Sequence, residues 1–507
     1  MKMYSVIGGI QEYSKRLIDR LEENMNNGIH RAKLWQIGGF ALNNTATNLY
    51  LFFMNFIAYY LVGAVGVGVV VASSIIMSMR IWDGVTDPFI GYLVDKTNTK
   101  FGKNRPFMVI GNVILLVFSF LIVHVTHLAP EQGRLVTFII LYMIYIIGYT
   151  FQCVVTKSAQ TCLTNDPKQR PMFTIFDGIY NTILFAVGPA VVSQSLVPKY
   201  RGFTNEFFHE FWIYIAVASA IFTCIAVFSI ASKDRTEYFG LGTSQKLGIK
   251  DYWEVLSHNR AIQMLVVSAS TDKLALTTQS NATVGILVYA IVCGNYAMSG
   301  AVSVYTAIPT FLMLAFGVGY IARQLGQKKA LLFGTYGALV CCILSILIFY
   351  VMDPTTLSLP VKGQDFAGWN MFTICYLALF LLMKGFTGIS GNIVIPMTAD
   401  CADYEVYRSG KYVPGLMGTL FSFVDKIISS LGVTVVGLLC ASVGFSKELP
   451  TVDTPFSPEL KVVAMITMYG LLIFGLICNV IAMKFYPLTK EKMQSIQEEI
   501  AAIKAKN

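Results

Sequence analysis

Charge is scarce in this sequence: only 13% of its 507 residues are Asp, Glu, Lys or Arg, about half of the roughly 25% usual in a soluble domain. Hydrophobic residues make up 55%, and mean hydropathy is +0.60. A chain so short of water-facing side chains is not an ordinary soluble enzyme. Paired cysteine motifs are missing as well. The ten cysteines include no CxxC spacing. Cys153, Cys224, Cys341, Cys342, Cys375, Cys440 and Cys478 sit inside apolar runs, where they act as small hydrophobes, so no disulfide framework or zinc site is implied. Nor is there a nucleotide-binding loop, an HExxH pair or an ordered Ser, His and Asp set; the chain reads as a non-enzyme without a cofactor. Its five histidines, His30, His124, His127, His209 and His258, fall mostly at the margins of apolar runs, where interfacial or solvated roles suit them. No cleavable signal peptide is visible, because about thirty residues of alternating charge precede the first apolar run.

What is abundant is apolar length. A bilayer core about 30 Å thick is crossed by about 20 apolar residues at about 1.5 Å each. Runs of that kind begin near residues 34, 66, 107, 135, 173, 209, 261, 296, 329, 368, 415 and 460, which predicts an all-α membrane protein with twelve transmembrane helices. The preceding segment, 4–34, reads as an amphipathic helix lying in the interface, with Leu17, Ile18 and Leu21 on one side and Arg16, Arg20 and Glu23 on the other. Lysine and arginine are spread unevenly over the connections: 27 lie in the N-terminus, the even-numbered loops and the C-terminus, and 6 in the odd-numbered loops. That asymmetry places both termini in the cytoplasm, with the chain in the plasma (inner) membrane. It also accounts for the net charge of +9 without a nucleic-acid partner.

The longest loop, 233–260, separates two six-helix bundles, 34–232 and 261–486, with an N-terminal segment 1–33 before them and a cytoplasmic tail 487–507 after. The halves echo one another. After the second run comes Gly91-Tyr-Leu-Val-Asp95-Lys96 and then Phe101-Gly102-Lys103-Asn-Arg105-Pro106; after the eighth comes Gly319-Tyr-Ile-Ala-Arg323-Gln-Leu-Gly-Gln-Lys328-Lys329. Each is a glycine-tyrosine helix end, a short turn and a basic cluster. Two such halves fit an alternating-access carrier with its site between them at the membrane midplane. A membrane sensor without transport is the alternative from another class, but the tail is too short for an output domain.

Ten ionisable residues stay within the runs: Arg80, Lys157, Lys273, Lys384 and Lys426 against Asp83, Asp87, Asp177, Asp272 and Asp425. A charge at bilayer depth is costly unless it is paired or faces a wet cavity, so these residues mark a pathway, and their even balance favours pairing. The second run holds the densest set, Arg80, Asp83 and Asp87, followed by Pro88. Spacings of three and four place the three charges along one helix face. Two carboxylates one turn apart suit a sodium site, which wants oxygen ligands, or a proton site, since repelling carboxylates hold one proton more tightly. A purely structural ion-pair network with Arg80 is the alternative, although one arginine does not neutralise two aspartates. Asp272 and Lys273 read either as a rim pair or as a contact from the outer side to the core.

With Arg80-Ile-Trp-Asp83-Gly-Val-Thr86-Asp87-Pro88, the Gly102-Lys103-Asn-Arg105-Pro106 loop and Asp400-Cys-Ala-Asp403-Tyr404-Glu405, the chain from about Gln36 to the twelfth run resembles the glycoside-pentoside-hexuronide:cation symporter family of the major facilitator superfamily. The resemblance implies the major facilitator fold of two pseudo-symmetric six-helix bundles. It implies cation-coupled uptake of a glycoside or sugar acid, with Asp83, Thr86, Asp87 and Thr150 forming or bordering the cation site and Lys426 approaching from the second half. Asp83 and Asp87 would be metal ligands only under sodium coupling. Melibiose-type members of that family carry asparagine where this chain has Thr86; a hydroxyl can still supply an oxygen ligand, but a proton needs only the carboxylates and is favoured.

The family's sugar-binding aspartates of the first and fourth helices fall at Asn43 and Cys153, and the tryptophan one turn beyond the latter falls at Lys157. The implied pocket is Asn43, Asn44, Thr47, Arg80, Tyr149, Cys153, Lys157 and Asp177. It has lost two carboxylates and gained a cation that suits a ligand carboxylate, which favours a hexuronide. A neutral glycoside held by Asn43, Asn44 and Thr47, or a non-sugar organic anion, are the alternatives. Two residues stay open: Lys157 could snorkel at the cytoplasmic end of its helix or pair with Asp177, and Lys426 could partner Asp425. The expected partners are the small-molecule sugar, the co-transported cation and the lipid bilayer, with the protein working as a monomer.

Overall fold

The computed structural model describes residues 30–97, 99–164, 166, 169–235, 257–361, 363–409 and 414–506. The first half contains α1 (Leu34–Met54), α2 (Val69–Lys96), α3 (Arg105–Val125), α4 (Glu131–Ser158), α5 (Pro171–Val191) and α6 (Asn205–Ile230). The second contains α7 (Arg260–Gln279), α8 (Ala297–Leu325), α9 (Gln327–Val351), α10 (Met371–Ser409), α11 (Pro414–Ser442) and α12 (Pro458–Phe485), followed by α13 (Lys490–Lys506). Apart from one bridge between Thr99 and Gly102, extended pairing is absent among the described residues. Helix starts follow local chemistry: Pro106 and Pro171 sit in first turns, where no N–H partner is lost. Thr204 and Asn259 cap α6 and α7 by accepting from the amides of Phe207 and Ile262.

Nine of these helices are long and apolar enough to cross a membrane alone. Two more spans are bent: α1 continues at 41° into Ile57–Val65, and α7 at 58° into Ala282–Val292. In α11 a shorter apolar stretch, Lys426–Ser442, is found among the described residues. Length and composition thus give nine to eleven spans among the described residues where twelve were expected, the count depending on whether each bent pair is one span. The amphipathic helix expected over 4–34 lies outside the described residues as far as residue 29.

The two halves meet where α2 packs on α11 and α5 on α8. One hydrophobic core runs through both halves at the end away from the termini, joining Phe53 and Tyr60 in the first half to Ile286, Phe349 and Tyr469 in the second. Toward the termini the core divides. One cluster there, with Phe40, Met108 and Val155, belongs to the first half alone, and another, with Leu265, Met397 and Met483, to the second alone. The molecule is therefore sealed at one end and parted at the end bearing the termini. The seal includes Tyr59, whose hydroxyl donates to the Pro450 carbonyl at 2.9 Å, and the Val69 amide, which donates to the Ser446 carbonyl at 3.0 Å.

Two glycines make the seal tight. A Cβ on Gly300 would come within 2.4 Å of the Ala190 backbone, and one on Gly437 within 2.2 Å of the Ser73 hydroxyl. Overpacking of this kind costs about 1–3 kcal/mol. Gly437→Val is accordingly expected to part the halves at the sealed end, shifting the equilibrium by roughly five- to a hundredfold. Maleimide labelling of Cys440, one turn away and fully buried, should rise from near zero; unchanged labelling would show that this contact does not hold the seal.

Candidate functional site

The centre of the molecule is built where α2, α4 and α11 converge. Asp83 and Asp87, one turn apart on α2, point toward the second half, and α11 delivers Lys426 between them. The Lys426 Nζ lies 2.5 Å from Asp87 Oδ2 and 3.0 Å from Asp83 Oδ2. The Thr150 hydroxyl on α4 donates to Asp83 Oδ1 at 3.1 Å, and Thr86 Oγ1 lies 3.2 Å from Thr150 Oγ1. The Asp83 side chain is 4% exposed and that of Asp87 36%, so the two carboxylates differ in access although they share one cation. Five side-chain oxygens and one ammonium thus form a unit spanning both halves. Charge-assisted bonds of this type are short and strong, and their worth depends on neither partner being left alone.

Arg80 takes no part in that network as an ion-pair partner, since no carboxylate among the described residues lies within 4 Å of it. Instead its guanidinium packs among Tyr142, Tyr145 and Tyr149 beside Asp83, against a small cavity that these residues share. The expectation that even numbers of charges mean pairing is corrected by this arrangement. Among the described residues Lys426 with its two aspartates is the one such pairing at depth. Lys384 donates to Gln279 at 3.2 Å and lies over the Phe380 ring. Asp272 accepts from Asn479 at 2.5 Å, on the face of α7 that meets α12. Lys273 is exposed on a different face; it is not a rim partner of Asp272, because consecutive helical residues point about 100° apart. The side chain of Asp425 lies outside the described residues.

The remaining pocket candidates divide into sealed and open. Asn43 and Thr47 are buried completely between α1 and α4: the Asn43 amide donates to Thr156 at 2.8 Å and Thr47 to the Asn43 carbonyl at 2.9 Å. Neither reaches an open surface in this conformation, although the Asn43 Oδ1 has no partner. Asn44 lies beside Asp177 on α5, whose buried Oδ1 likewise has no partner. One turn on, Asn48 donates to Asn181 at 2.8 Å. Asn48 and Asn181 escaped the sequence reading, yet each lies four residues beyond a candidate that it named, so the same-face rule could have found them. Cys153 and Tyr149 touch each other beside Asp83. Lys157 sits exposed in the last turn of α4, near enough to Asp87 and Cys153 for its charge to act on both. It pairs with neither Asp177 nor any other carboxylate among the described residues.

Comparison with known proteins fits this geometry. Residues 39–490 match the sequence model of a family described as MFS/sugar transport protein. A glucuronide carrier protein homolog of Escherichia coli is 25% identical over 475 residues, covering 92% of this chain and 94% of that one. A putative glycoside/cation symporter of the same species, YagG, is 22% identical, with 91% and 94% covered, and an isoprimeverose transporter of Lactiplantibacillus pentosus is 21% identical, with 80% of each covered. Among solved structures, the nucleoside transporter NupG superposes with a TM-score of 0.58 at 14% identity, over 90% of this chain and all of that one. A bacterial homologue of the iron transporter ferroportin in an inward-facing state superposes with a TM-score of 0.58 at 12% identity, over 90% and 98%. At those identities the structures speak to the fold alone.

Proposed function

We propose that this chain, which belongs to the MFS/sugar transport protein family, is a cation-coupled symporter importing an acidic sugar of the hexuronide class. Family membership makes it an integral membrane transporter and not an enzyme. The observation that carries the substrate class is a mismatch of partners. The carboxylates facing the centre hold Lys426 between them, whereas Lys157 and Lys273, exposed on helices of opposite halves, have no carboxylate partner among the described residues. Both ammonium groups are exposed, Lys157 in the last turn of α4, and an ammonium without a fixed partner is open to a ligand carboxylate, which would make a charge-assisted bond to it. Asp177 and Asn43 each keep one buried oxygen unpartnered, acceptors that sugar hydroxyls would satisfy once the site opens to them. The glucuronide carrier homolog among the relatives supports the same class.

Coupling follows from the shared cation. Protonation of Asp87, the more exposed carboxylate, weakens its hold on Lys426 and hence the tie between α2 and α11; sugar bound in that state favours the proton by the same factor as the proton favours sugar. A proton is proposed over sodium because one carboxylate suffices for it, while sodium needs several oxygens released from the ammonium together. The excess of Lys and Arg on the side of the termini supports a cytoplasmic orientation for the parted end in a plasma membrane.

Counterflow in proteoliposomes against neutral glycosides, uronides and sulfonated sugars tests the substrate. Uronides are expected to exchange at least about tenfold better than neutral sugars of similar shape; preference for a neutral glycoside would overturn the reading. Accumulation should collapse with a protonophore and proceed without sodium, and strict dependence on external sodium would reassign the ion.

A further inference from the structure

A lateral groove between α1, α5 and α6 takes no part in the central site. α5 and α6 both pack on α1 but scarcely touch each other, which leaves a cavity of about 460 Å³, far larger than a packing defect in a well-packed interior. Its floor is the α1 stripe of Leu42, Leu49 and Phe52, and its walls include Val187 on α5 and Ala218 on α6. Val187 is 50% exposed at the mouth, on helices that cross the membrane, so what faces the opening is the bilayer. The stripe from residue 42 to residue 52 rises about 15 Å, half of a core about 30 Å thick. The groove therefore occupies one leaflet, on the side opposite the termini.

The outer end of this apolar trough is polar in a particular way. Tyr214 in its wall donates to Glu210 Oε1 at 2.6 Å, and the other oxygen of Glu210 receives the Lys199 ammonium and the Tyr200 hydroxyl. Tyrosines and long charged side chains at this level are what a headgroup region accommodates. The ion pair is neutral overall and presents one charge of each sign.

We propose that the groove is a binding site for one phospholipid with a zwitterionic amine headgroup. Its acyl chain fills the trough against α1, its ammonium is drawn to Glu210 and its phosphate to Lys199. An anionic headgroup or a free fatty acid would satisfy Lys199 alone and bring no ammonium for the Glu210 carboxylate that Lys199 would then leave. The chain also holds α5 apart from α6 while α5 makes the Ala190 contact with Gly300 that seals the halves. The site depends on the membrane-spanning fold and not on which sugar is carried.

Native mass spectrometry of the full chain ejected from nanodiscs made of equal parts palmitoyl-oleoyl phosphatidylethanolamine and phosphatidylglycerol tests this. The wild type is expected to retain one phosphatidylethanolamine, in roughly tenfold excess over phosphatidylglycerol. Val187→Trp, at the exposed mouth and so compatible with folding, should lose that adduct, while Glu210→Gln should keep an adduct but lose the headgroup preference. A random adduct distribution in the wild type, or full retention in Val187→Trp, would overturn the site. An unaltered preference in Glu210→Gln would overturn the headgroup assignment. Displacement of the lipid by a glycoside with an apolar aglycone would make the groove a second substrate site instead.

Discussion

Asp87→Asn is expected to abolish accumulation against a gradient, bringing the internal to external sugar ratio to about one, while counterflow exchange persists. The asparagine keeps the shape and one acceptor oxygen but cannot take up and release a proton near neutral pH. Lys426 then stays on Asp83, 3.0 Å away, whatever the proton gradient does, so sugar and proton no longer bias each other. Asp83 is the poorer candidate for the exchanging group, being 4% exposed and bonded by Thr150. Removing the cation tests the same unit from the other side. Lys426→Ala leaves Asp83 buried with a single hydroxyl donor, and an uncompensated buried charge of this kind costs about 3–5 kcal/mol. Thermal unfolding in detergent should therefore fall well below wild type in Lys426→Ala and recover when Asp83→Asn is added. Concentrative uptake by Asp87→Asn, or equal stability of the single and double variants, would show that the ion cluster is not the coupling unit.

Much of this cluster was legible in the sequence for a simple reason: Asp83 and Asp87 are local, and helical spacing alone aligns them. The all-helical membrane fold was legible too, because apolar length responds to the bilayer rather than to any particular partner. What could not be read was which residue completes the site across 339 positions of chain, as Lys426 does for Asp87. Family resemblance supplied that link, not spacing. The balance of charges misled because pairing is decided by which helix faces touch: Asp272 turns to Asn479 while Lys273, its neighbour, does not. For Asn43 and Thr47 the same facing decides: Asn43 donates to Thr156 on α4, and Thr47 donates back to the Asn43 carbonyl within α1, contacts that spacing does not reveal. The break in α7 is local: Asn281 leaves helical geometry and caps the continuation by accepting from the Thr283 amide, a change that hydropathy does not record.

Lys157→Ala and Lys273→Ala carry the second large effect, a loss of affinity confined to acidic substrates. A charge-assisted bond from an ammonium to a ligand carboxylate is worth about 1.5–3 kcal/mol when one partner is removed, so each alanine should raise KM for a uronide roughly ten- to a hundredfold. The matching neutral glycoside should change by less than about threefold, since neither lysine is engaged by it. The two positions should also differ in a readable way. Lys157 lies in the last turn of α4 at the parted end, beside Asp87, so its loss should also disturb the coupling between proton and sugar. Lys273 lies about 20 Å along α7 from Arg260 at 1.5 Å per residue, so its loss should act on affinity with coupling preserved. Lys157→Arg should restore much of the uronide affinity, because the cation is kept although its geometry changes. If both alanine variants weaken neutral and acidic sugars alike, the lysines serve the fold and not the ligand charge. A neutral glycoside would then be the better reading of what is carried.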